Sequence, residues 1–74
     1  MKTLDKSKVL VAAVSLMVKQ GSATSLEVKN ELRKGGYNAK QAEVRDFLND
    51  LRQEENWNVS DNGQFKIYTP KTNS

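Results

Sequence analysis

Asp46 and Asp50 stand four residues apart, one turn of a helix, the spacing at which two carboxylates can share a metal ion. On an exposed helix such a pair is ordinarily solvated charge, and Glu54-Glu55 reads the same way. Gly35-Gly36 is not followed by the Lys-Ser or Lys-Thr of a phosphate-cradling loop. The chain has no cysteine and no histidine, which removes disulfides, zinc fingers, thiol and imidazole nucleophiles and the side chain that titrates near neutral pH. No catalysis, no metal site and no cofactor are expected. The charge balance points elsewhere: 12 Lys and Arg against 9 Asp and Glu give +3 and a pI near 9.3, the sign of a nucleic-acid binder. The charge is uneven, with a balance of +4 over residues 1–34 and −2 over residues 35–56. Trp57 and Tyr68 are aromatics that could stack on single-stranded bases; the strand pattern assigns Trp57 to packing and leaves Tyr68 the freer of the two.

At 74 residues the chain makes one small domain, expected over residues 1–69 with a polar flexible tail at 70–74. Helix one is expected over residues 5–20, opened by Asp5 and stopped by Gly21. Leu10, Ala13, Val14 and Met17 form one stripe at i, i+3, i+4 and i+7, with Val11, Ser15 and Val18 on one flank and Val9, Ala12 and Leu16 on the other. The helix is apolar almost all round, which suits either a central helix covered on most sides by its own domain or a surplus face that pairs with a second copy. Helix two is expected over residues 25–34. Thr24 and Glu27 form its capping box, Val28 and Leu32 face the core, Leu26 seals the start, and Gly35-Gly36 supply positions tolerant of positive φ. Helix three is expected over residues 39–54, with Asn38 and Gln41 as a second capping box and Val44, Phe47, Leu48 and Leu51 as its core.

The period then changes to two. Trp57 and Val59, and Phe65 and Ile67, alternate with polar residues around Asp61-Asn62-Gly63, which reads as a hairpin. A two-residue loop would mix the faces. A three-residue loop closed by Gly63 in the left-handed conformation sets Val59 opposite Phe65 and Trp57 opposite Ile67, and turns Asn58, Lys66 and Tyr68 away from the core. The fold class expected is mainly α with a C-terminal β-hairpin.

Three helices followed by a hairpin, with the core spacing Val28, Leu32, Val44, Leu48 and Leu51 and the connector Gly35-Gly36-Tyr37-Asn38, resemble the winged helix-turn-helix family over roughly residues 5–69. The resemblance implies that helix three enters the major groove of DNA and that the hairpin is the wing on the backbone or minor groove. Carried over residue by residue, it makes Lys40, Gln41, Arg45 and Asn49 the base-contact candidates. Lys29, Arg33 and Lys34 on helix two, with Lys66 and Lys71 after the turn, become phosphate contacts. Glu43, Asp46 and Asp50 on helix three, and a wing tip with Asp61 but no Lys or Arg, oppose that electrostatics.

The expectation is therefore a small transcriptional regulator that binds double-stranded DNA. The alternative is a protein-interaction module acting through the acidic helix-three face or the apolar helix one, where a homodimer would also form. Residues 9–18 are half the length of a membrane span. Asp5 in the basic leader and Lys19-Gln20 directly after the run argue against an export signal, so a cytoplasmic location without membrane contact is expected.

Overall fold

The computed structural model describes residues 3–71, so the expected tail at 70–74 lies outside the described residues from 72 onward. Helix α1 spans Lys6–Gln20. The Asp5 carboxylate caps it, accepting from the Lys8 amide at 3.0 Å and the Ser7 hydroxyl at 2.8 Å. Its core face is Val9, Ala12, Ala13, Leu16 and Met17. Of its apolar faces, the flank of Val9, Ala12 and Leu16 is covered together with Ala13 and Met17, whereas Leu10 is only half-buried, Val14 is 41% exposed, and Val11 and Val18 stand out at 63% and 83%. A helix apolar on nearly every side carries no internal signal of which side its partners cover; α2 and α3 both pack against α1, and Val9 and Leu16 belong to the shared core.

A two-residue strand β1, Ala23–Thr24, leads into helix α2, Ser25–Lys34. The Thr24–Glu27 capping box is formed in both directions at 3.2 Å, and Val28 and Leu32 are buried as expected. Leu26 does not seal the helix start but is 49% exposed. Of the two glycines after α2, only Gly36 has positive φ, at 89°; Gly35 keeps φ −81°.

Helix α3 spans Gln41–Glu54 and starts two residues later than expected. Asn38 does not cap it: the N-cap residue is Lys40, and no side chain accepts from its first amides. The residue expected to close the box, Gln41, instead donates to the Ser25 hydroxyl at 2.6 Å, tying the start of α3 to the start of α2. Val44, Leu48 and Leu51 are buried, with Phe47 partly so.

Strands β2, Asn58–Asp61, and β3, Lys66–Thr69, form the hairpin, and β1 adds to the free edge of β3, giving an antiparallel sheet in the order β1-β3-β2. The register corrects the expected one. Val59 pairs with Tyr68, Ser60 with Ile67 and Asp61 with Lys66, leaving a four-residue loop of Asn62–Phe65. An odd shift of register exchanges the faces of a strand. Tyr68, expected outside, is therefore fully buried at 0%, and Phe65, expected inside, is 40% exposed. Trp57 lies just before β2, buried, with its ring edge-on to Tyr68 at 6.4 Å. Three mutually packed helices and this sheet make a mainly helical domain, compatible with a winged-helix-like arrangement.

Candidate nucleic-acid interface

Helix periodicity sorts the polar residues of α3 into two flanks of its buried Val44–Leu48–Leu51 stripe. Gln41, Arg45, Asn49 and Arg52 fall on one side, Glu43, Asp46, Asp50 and Glu54 on the other. The first flank faces the hairpin. Between them lies a cleft of about 260 Å³, lined on the helix side by Gln41, Arg45 and Asn49 on successive turns, and on the hairpin side by Gln64, Phe65 and Lys66. Ser25, Tyr68, Gly63 and the Asp61 carboxylate also line it, and no carboxylate of α3 does.

The cleft is held by hydrogen bonds at both ends. Gln41 Nε2 donates to Ser25 Oγ, while Gln41 Oε1 is buried with no partner. Further along, the Tyr68 hydroxyl donates to Asn49 Oδ1 at 3.3 Å. Burial raises the Tyr68 phenol above its ordinary 10.0, and the nearby Arg52 and Arg45 cations act in the opposite direction. The hairpin loop is self-organised. Asp61 Oδ1 accepts from the Gly63 amide at 2.8 Å, and Asn62 Oδ1 accepts from the Gln64 and Phe65 amides at 3.0 Å. Gly63 takes φ 92°, as the loop chemistry requires. The carboxylate at the wing tip is thus engaged with backbone, and its strand partner Lys66 is exposed.

Of the base-contact candidates, the structure brings Gln41, Arg45 and Asn49 together with Lys66. Lys40 is exposed at the N-terminus of α3, outside the cleft lining. The α2 candidates also lie outside that lining: Lys29 is half-buried, Lys34 is exposed at the helix end, and Arg33 Nε donates to the Ala39 carbonyl at 3.0 Å, bracing the α2–α3 connector. Arg52 and Lys71 meet in a shallower neighbouring concavity beside Trp57, which extends the basic flank. Sequence reasoning passed over Arg52 and Phe65. The periodicity of α3 was enough to place Arg52 beside Arg45, whereas exposing Phe65 required the register.

The acidic flank turns toward the start of α1. Lys6 pairs with Glu54 at 2.5 Å, and that hydrogen bond raises the Lys6 pKa, with the Asp50 charge adding to it. Among the described residues, no group of three or more acidic side chains could hold a metal ion, and no helix is long and apolar enough to cross a membrane. No protein-family model, curated protein or solved structure matches the chain.

Proposed function

We propose that the chain is a winged-helix domain that binds double-stranded DNA and serves as a transcriptional regulator, with α3 in the major groove and the β2–β3 hairpin as the wing. The observation that carries this reading is the separation of charge on α3: Arg45, Asn49 and Gln41 share a cleft with Lys66, and the acids occupy the opposite flank. Of the carboxylates that opposed DNA binding in the linear sequence, Glu43, Asp46 and Asp50 do not line the cleft, while Asp61 does and accepts there from the Gly63 amide. The uncapped start of α3 adds support, because free helix N-terminal amides beside Lys40 favour a phosphate oxygen. Arg45 and Asn49 carry the chemistry for guanine and adenine edges, while Lys40, Lys66 and Arg52 supply backbone contacts.

The test is an amide NMR titration with a short mixed-sequence duplex at low and near-physiological salt. Shifts over residues 40–49 and at Lys66 that weaken with salt are expected. Absence of shifts at low salt overturns the reading. A second reading rests on α1, whose exposed Val11, Val14 and Val18 lie on one face. It makes the chain a protein-interaction module and expects salt-insensitive binding to a polypeptide or to a second copy.

A further inference from the structure

Two side chains on the hairpin-facing flank of α3 are amides, and both have their carbonyl oxygens turned inward. An amide reads adenine by accepting from the base amine and donating to N7 side by side. Gln41 cannot do this, because its Nε2 donates to the Ser25 hydroxyl at 2.6 Å and its Oε1 is buried. Asn49, about two turns further on, is exposed, yet its Oδ1 accepts from the hydroxyl of Tyr68, a residue 0% exposed. That phenol is shut off from water, so its proton needs an acceptor within the protein, and Asn49 Oδ1 is the one it meets. With the oxygen drawn toward the hairpin, the group Asn49 presents outward is Nδ2, a donor. Between the two amides Arg45 offers guanidinium donors only. The carboxylate and the further amide in the cleft lining, Asp61 and Gln64, belong to the hairpin rather than to the helix.

We infer that this flank of α3 presents hydrogen-bond donors alone to the major groove and so selects guanine against adenine, an inference that rests on the duplex-binding reading. Guanine shows two adjacent acceptors in the groove, N7 and O6, whereas adenine shows an acceptor beside an amine donor. Arg45 forks onto the guanine pair. Asn49 Nδ2 meets the same two acceptors, and against adenine it faces the amine donor to donor. Arg45 and Asn49 are four residues apart, about 6 Å along the helix. The two guanines therefore fall within about two base steps of about 3.4 Å each. Tyr68 is the positioning residue: wholly buried, it touches no DNA, and it sets the preference by holding the Asn49 oxygen inward. By residue type alone Asn49 suits adenine, and the strand register that buries Tyr68 reverses this.

The test is selection by the full chain from a pool of duplexes with randomised base pairs, followed by fluorescence anisotropy on single duplexes that differ at one position. Guanine is expected at two positions within about two steps of each other. At the position that Asn49→Ala relaxes, guanine should be preferred over adenine by about fivefold, the low end for one base contact. Arg45→Ala should relax the other position. Tyr68→Phe keeps the ring and its packing but removes the hydroxyl, which frees the Asn49 amide to turn. Adenine should then bind as well as guanine at the Asn49 position, with the rest of the profile unchanged. A merely structural role for Tyr68 would lower affinity for all duplexes alike and leave the preference as it was, and that result overturns the inference. Adenine selected by the native chain at the position that Asn49→Ala relaxes also overturns it. This second comparison uses an exposed residue, so it decides the matter even where Tyr68→Phe loses the dispersed amide spectrum of the folded chain. Duplex binding without base preference removes this inference alone, whereas no binding to any duplex at low salt removes the duplex-binding reading with it.

Discussion

Replacing Arg45 and Lys66 together by Ala tests whether the cleft is where phosphate meets this domain. Four exposed cations belong to α3, its N-cap and the hairpin: Lys40, Arg45, Arg52 and Lys66. If each meets one phosphate, the logarithm of the binding constant falls with the logarithm of salt at a slope of about −3.6. Raising salt from about 50 to about 200 mM then weakens duplex binding about 150-fold. Removing two of the four halves the slope to about −1.8, and the same salt step costs only about 12-fold. Both side chains are exposed, so the double variant should keep its stability to within about 0.5 kcal/mol per site. The assay is fluorescence anisotropy of a labelled duplex over a salt series, with a thermal melt as the folding control. Lys8→Ala on α1 should leave the slope as it is. An unchanged slope in the folded double variant refutes the placement of phosphate at the cleft, because lost counterion release has no other source in these two residues.

Three further outcomes follow from the packing. Thr24→Ala removes the side-chain half of the α2 capping box and should lower stability by about 1 kcal/mol, read as a shift in the urea midpoint at constant m-value. Tyr68, with its phenol raised above 10.0 by burial, favours the fold while neutral; that contribution is present below pH 10.0 and is lost as pH rises through the folded-state pKa. Tyr68→Phe should therefore show less alkaline destabilisation than the native chain in urea midpoints followed from about pH 8 to about pH 11, although it loses the hydrogen bond to Asn49 at neutral pH. Val11→Lys and Val18→Lys on the exposed face of α1 should change stability by about 0.5 kcal/mol or less; a loss that grows with protein concentration in thermal melts would instead show that a second copy covers this face.

The parts of the fold that could be read from the residues are those where a local rule and the tertiary structure agree. The Thr24–Glu27 box and the Val28–Leu32 spacing placed α2 at its observed bounds, because both signals lie within one turn of each other. Where a residue had two ways to satisfy itself, local reasoning chose the nearer one. Gln41 reads as a box partner for Asn38 three residues back, yet it reaches Ser25 sixteen residues away, since the start of α2 presents a buried hydroxyl at that point. β1 was invisible for a related reason: two residues carry no periodicity, and Ala23 and Thr24 become a strand only because the edge of β3 lies beside them.

The hairpin shows how one missed choice propagates into the candidate site. Gly63 in the left-handed conformation is compatible with loops of several lengths, so the glycine alone does not set the register. The deciding features are long-range: β1 pairs with β3 at Ala23–Tyr68, and Trp57 packs edge-on against the Tyr68 ring. Both require Tyr68 to face the helices, and once it does, pleating fixes the rest of β3. Phe65 is displaced into the loop, where it stands beside Lys66 and across from Arg45, and the Tyr68 hydroxyl becomes the anchor for Asn49. An aromatic ring, two cations and a line of amides thus come together as a consequence of burying one tyrosine, and the chemistry of the cleft rests on that register rather than on any short motif in the chain.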